Sequence, residues 1–133
     1  INDTTKTQYL FRVNKGREVL NESINEHMPE NQRPIPFTNM IYIGDGMSDV
    51  PSMALTKKNG GHTIAVHDPQ KKSGREQCIS LMEAKRVDFI APADYRKGSK
   101  LATQVELLLD AVIANIAYDK EKFACAAEHK LSL

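Results

Sequence analysis

Met40-Ile41-Tyr42-Ile43-Gly44-Asp45-Gly46-Met47-Ser48-Asp49-Val50-Pro51 is the stretch on which the reading of this chain turns. Its first four residues form a short continuous apolar run. Such runs suit a strand buried on both faces, as in a parallel sheet. Gly44-Asp45-Gly46 then breaks the strand. Ser48 and Asp49 are good caps for a short helix with Pro51 in its first turn. That helix carries Met53, Ala54 and Leu55 and stops near Asn59-Gly60-Gly61.

The same alternation continues downstream. His62 to Val66 (HTIAV) reads as a second strand, ended by Asp68-Pro69. Ser73 with Glu76 has capping-box spacing and opens a helix through Cys78, Ile79 and Met82. Val87 to Ala91 (VDFIA) reads as a third strand, ended by Pro92. Ser99 caps the longest helix, with a stripe of Leu101, Val105, Leu108, Leu109, Val112, Ile113 and Ile116. Upstream, Tyr9 to Val13 reads as extended, Asn14 caps a helix from Lys15 to about His27, and Met28-Pro29 ends it. Strand and helix in strict alternation mean parallel βα units in an α/β fold, with right-handed crossovers.

The chain has 133 residues, 41% hydrophobic and 26% charged, as expected of one globular domain or a piece of one. Eighteen Lys and Arg nearly cancel seventeen Asp and Glu. A net charge of +1 gives no electrostatic grip on nucleic acid or an anionic membrane. The most apolar region, Leu101 to Ala117, is interrupted by Thr103, Gln104, Glu106, Asp110 and Asn115, so no uninterrupted run spans a bilayer. Cys78 and Cys125 are too few for a disulfide scaffold or zinc site, and the expected compartment is the cytoplasm. The chain opens on Ile1, with no signal-peptide pattern, which suggests processing or a fragment. No P-loop and no G-x-G-x-x-G is present.

Ligand sites of open parallel sheets form beyond the carboxyl ends of the strands, where Asp45 falls. Gly44 and Gly46 permit a tight turn and close approach of a ligand. Asp49 follows four residues later. Two carboxylates this close need a cation or a shared proton between them. Mg²⁺ is the natural candidate, since it takes oxygen ligands, one or two carboxylates and a substrate phosphate. The plainer alternative makes Asp45 a turn residue and Asp49 a helix cap.

Gly44 to Pro51 (GDGMSDVP) resembles the fourth motif of the haloacid dehalogenase (HAD) superfamily, a G-D-x-x-x-D signature after a core strand. Asn14-Lys15-Gly16, one helix and one loop ahead, resembles the third motif. His67-Asp68-Pro69 after HTIAV, and FIAPADY before the last helix, also look family-like. The resemblance covers nearly the whole chain. It implies a Rossmann-like three-layer α/β/α core with residues 1–133 as its C-terminal portion. It also implies a Mg²⁺-dependent phosphohydrolase acting on a small phosphomonoester. Asp45 would be a metal ligand, and Asp49 would support the metal shell directly or through water. Lys15 would contact the phosphate and the nucleophile, and Ser48 would orient Asp49 or a metal-bound water.

The pattern departs from the family in two respects. No D-x-D-x-T/V follows an apolar strand, and no second-motif Ser or Thr closes a strand before the lysine. The isolated chain should therefore be inactive for lack of a nucleophile. The alternative is a non-catalytic HAD-like module that binds metal or a partner. Without the neighbouring nucleophile strand, Ile41 to Ile43 would present an open edge. That edge is expected to pair with a second copy, swap a segment, or leave the chain poorly stable. Lys6, in a polar leader, reads as a solvated lysine. His67 reads as a strand-end surface histidine, Asp68 as a weak outer-shell candidate, and Lys71, Lys72, Arg75, Lys85 and Arg86 as a solvated face.

Overall fold

The computed structural model describes residues 35–133, together with Lys6 and Leu10. Among these residues, three strands form one parallel sheet: β1 (Ile41–Gly44), β2 (His62–His67) and β3 (Phe89–Pro92) in the order β1-β2-β3. Three α-helices alternate with them: α1 (Val50–Lys58), α2 (Lys72–Glu83) and α3 (Lys100–Glu128). The chain is thus α/β, as the alternating pattern requires. Tyr9 to Val13 and the helix from Lys15 lie outside the described residues, except that Leu10 is helical and not extended.

The register is set by the strand period of two. Ile41 pairs with His62 and Gly44 with Ala65, while Ile64 pairs with Phe89 and His67 with Pro92. On β2, Ile64 and Val66 point to one face and pack with Ala91, Leu101 and Leu108 under α3. Ala65 points to the other face and packs with Met53 of α1, Cys78 of α2 and Val87. Helices therefore cover both faces of β2, which is buried from Thr63 to His67.

β1 differs from the expectation of a strand buried on both faces. Among the described residues it pairs on one side only, and Ile43 is 37% exposed. The double burial belongs to β2, because helices pack on both of its faces.

The connections are built from local chemistry. Phe37, in a 3-10 turn at Phe37–Asn39, is fully buried ahead of β1. α1 begins with Pro51 in its first turn and ends at Asn59, after which Gly60 takes a positive φ of 89°. Gly61 must be bare, since a Cβ there would lie 2.6 Å from the Phe37 carbonyl oxygen and from Thr56 Cγ2. Asp88, just before β3, accepts from the Thr63 amide at 2.8 Å and pairs with Lys57, so one carboxylate ties β2, α1 and the entry to β3. Ser99 caps α3 as the sequence suggests, accepting from Ala102 N at 3.1 Å. The Ser73–Glu76 capping box does not form. α2 starts one residue earlier, at Lys72, with no side-chain cap, so Ser73 sits inside it.

α3 also departs from its sequence reading. Leu101, Gln104, Leu108 and Val112 are buried on the side of the helix that faces the sheet, whereas Leu109, Ile113 and Ile116 are exposed. Thr103, Gln104, Glu106, Asp110 and Asn115 do not interrupt it. The helix is continuous and, by length and composition alone, apolar enough to cross a membrane.

Ile64→Ala should cost about 2–5 kcal/mol, because the site is fully buried between β2 and α3 and cannot collapse around the lost atoms. Leu107→Ala, at an exposed position on α3, should stay within about 0.5 kcal/mol. Urea midpoints of the two variants check the contrast.

Candidate functional site

The carboxyl end of β1 is organised around one side chain, Asp49, which is only 6% exposed. It closes a 3-10 turn over Met47–Asp49, immediately before α1. This position folds its carboxylate back over the turn. Oδ2 accepts from the backbone N–H groups of Asp45 at 3.1 Å and Gly46 at 3.2 Å. Oδ1 accepts from the Tyr42 hydroxyl at 2.7 Å. Oδ1 also accepts from Lys6 Nζ at 2.7 Å, and the same ammonium donates to Ser48 Oγ at 2.8 Å. A carboxylate offers about four lone-pair positions, and here four donors fill them.

Close approach makes this possible. A Cβ on Gly44 would stand 2.7 Å from Asp49 Cβ and 2.9 Å from Cγ. Real Cβ atoms do not come so near, so only glycine lets Asp49 sit against the strand end. Tyr42, two residues earlier, lies on the same side of β1 as Gly44 and reaches Asp49 from below.

The electrostatics follow. Burial alone would push the Asp49 carboxyl up, but the Lys6 ammonium, the Tyr42 hydroxyl and the two backbone N–H groups outweigh it and hold the carboxyl below its ordinary value. Tyr42 moves the opposite way. Burial and the adjoining Asp49 carboxylate push its phenol up to about 12, so it remains a donor across the physiological range.

The sequence candidates separate in space. Asp45 is exposed, and its carboxylate has no hydrogen-bond or charged partner among the described residues. Asp49 is saturated by donors and acts on the turn and on Lys6 rather than offering a free oxygen. Gly44 and Gly46 form the turn, and Ser48 shares the ammonium. Lys15 lies outside the described residues. Lys6 is not the solvated lysine its polar surroundings suggest: its side chain is 24% exposed and it is paired with Asp49. No local pattern announces it, because 43 residues separate it from Asp49. Tyr42 carried a weak signal, being two residues before the glycine on which Asp49 rests.

Other candidates fall away from this cluster. His67 is buried at 8% exposure rather than on the surface, beside Gly74 of α2, with Nδ1 unpartnered. Asp68 makes a turn, its carboxylate accepting from Gln70 N at 2.9 Å. Asp94 is clasped by Arg96, which holds it near 2. Cys78 lines a crevice between the acidic turn and α2 with room for about one water. Burial pushes its thiol up, which leaves it unreactive. The described residues contain no group of three or more His, Cys, Asp or Glu poised around one point. A cation at Asp45 would complete its shell with water and substrate oxygens.

Set against known proteins, the chain is similar to an uncharacterized protein of Borreliella burgdorferi. The two are 38% identical over 104 residues, which is 76% of this chain and 34% of the relative. The chain thus spans about a third of the length of the curated relative it matches. No family model and no solved structure matches it.

Tyr42→Phe should remove one donor from a charged acceptor and cost about 1.5–3 kcal/mol at neutral pH. The sign with acid is fixed by linkage. A carboxyl held low in the folded state contributes stability above its unfolded value of about 3.9, and that contribution disappears as pH falls through the folded value. Losing Tyr42's donor raises the folded value. Acid unfolding of the variant, followed by circular dichroism, should therefore begin at higher pH.

Proposed function

We propose that this chain supplies the acidic turn and the lysine of a Mg²⁺-dependent phosphohydrolase of the HAD type, acting on small phosphomonoesters. The observation that carries the reading is the Lys6 ammonium fixed on Asp49 and Ser48 at the carboxyl end of β1, beside the unpartnered carboxylate of Asp45. In this reading the sheet with helices on both faces is part of a Rossmann-like three-layer core. Lys6 takes the part that the sequence assigned to Lys15.

The chemistry fits those residues. Phosphoryl transfer spreads negative charge over the equatorial oxygens, so positioned cations do most of the work. Lys6 is pre-oriented by two acceptors and so needs little reordering to meet an incoming phosphate. Asp45, free of partners among the described residues, would hold Mg²⁺, with waters and phosphate oxygens completing the shell. When bound, that ion supplies charge neutralisation at the phosphoryl group. Asp49 is the anchor that keeps Lys6 and the turn in place. An aspartate nucleophile would have to come from a D-x-D segment, which this sequence lacks. That absence favours a second reading, a metal- or partner-binding module without turnover.

Two measurements decide. In the 133-residue chain, Mg²⁺ added with inorganic phosphate should shift the amide signals of Gly44 to Ser48, and Asp45→Asn should abolish the response. If the complete reading frame encodes a D-x-D segment, its product should hydrolyse p-nitrophenyl phosphate with Mg²⁺ and not with EDTA. There, Asp45→Asn and Lys6→Ala should each lower kcat by about 10²–10³. Wild-type turnover in both variants would remove the assignment, while metal binding without any turnover would favour the second reading.

A further inference from the structure

Beside the face that packs on the sheet, α3 exposes a second apolar seam, which runs on past Val112. Its members follow heptad spacing: Ala102, Glu106, Leu109, Ile113, Ile116, Lys120 and Phe123. Leu109 is 46% exposed, Ile113 62%, Ile116 46% and Phe123 51%. Soluble surfaces rarely leave such a row bare, and a row of this kind marks an interaction face. At its amino-terminal end the seam runs into a groove of about 400 Å³, lined by Ile43, Tyr95, Leu101, Ala102, Val105 and Glu106. That groove opens beside β1, where the sheet has no further strand among the described residues.

We propose that this seam binds a second copy of the chain, with two α3 helices antiparallel about a two-fold axis near Ala114 and Asn115. The register is set by the seam itself. An isologous pairing centred there sets Ile113 of one copy against Ile116 of the other, and Leu109 against Lys120, whose aliphatic stem covers it. Glu106 then lies level with Phe123 of the second copy. Phe123 thereby meets the mouth of the groove beside Ile43 and Tyr95. Lys120 of the second copy lies three residues from that level, about 4.5 Å along the axis, within reach of Glu106. The two charges that interrupt an otherwise apolar seam thus come within reach of each other across the axis, twice. Among the described residues neither has a charged partner within its own chain. Ala117 and Ala124 flank the seam and let the helices approach closely. A parallel pairing would instead set Glu106 against Glu106 and Lys120 against Lys120.

Sedimentation of the 133-residue chain should show a dimer. Phe123→Ala and Glu106→Lys should each raise its dissociation constant about tenfold or more, with far-UV circular dichroism of the monomer unchanged, because both positions are exposed. The double reversal E106K/K120E should restore dimerisation. In a mixed ¹⁴N/¹⁵N sample, carbodiimide should cross-link Glu106 of one copy to Lys120 of the other. A chain still monomeric at about 1 mM overturns the proposal, since even weak complexes form there. So does a double reversal that fails to restore pairing. Insertion of monomers into phosphatidylcholine vesicles, or a seam covered by the chain's own residues, also overturns it.

Discussion

The carboxyl end of the sheet depends on a single buried carboxylate. Asp49 gathers the end of β1, the turn after it, the start of α1 and a lysine 43 residues upstream onto four acceptor positions. Each donor alone is an ordinary contribution of about 1–3 kcal/mol. Together they make the turn a single conformation, because leaving any one unpaired strands a buried polar group. The network costs Asp49 its freedom. A carboxylate with four donors has no oxygen to spare for a ligand, so the turn's one available acidic group is Asp45.

The geometry behind this is a consequence of parallel strands. β1 and β2 run in register from Ile41 against His62 to Gly44 against Ala65, and β2 continues two residues further, to His67. The shorter strand leaves a step in the sheet, and the acidic turn fills it. Gly44 is the last paired residue of β1, and its missing side chain is the space Asp49 occupies. Any larger residue would push Asp49 out and separate Tyr42 from it. The apolar strand, the bare glycine and the acid five residues later are therefore one device.

Much of the fold was legible because local signals and burial agreed. The βα alternation, Asn59-Gly60 as a helix end and Ser99 as a cap all depend on residues near one another in sequence. Among the features that escaped, three show why. The Lys6–Asp49 contact joins segments far apart, and a lysine among threonines has no periodicity to betray its destination. His67 looked superficial because it ends a strand, but α2 returns across that strand end and buries it beside Gly74. The α3 stripe merged two faces into one. Leu101, Leu108 and Val112 face the sheet, while Leu109, Ile113 and Ile116 lie about 100° further round the helix, so one apolar arc wide enough for both reads as a single face.

The length of α3 explains why it must have two faces. A helix packed along strands of four to six residues, each rising about 3.3 Å, meets roughly 13–20 Å of sheet. Leu101 to Val112, the part of α3 buried on that sheet, covers about 16 Å of helix. The sheet is used up there. Residues 113–128 continue for about another 23 Å, and Ala126, the one buried residue in that stretch, lies where the helix is capped by the Leu131 amide. A helical segment of that length that buries so little is marginal in water even at good propensity. Its apolar residues at heptad spacing require a surface that three strands cannot provide, and the contact that stabilises the second half of α3 has to come from outside this sheet.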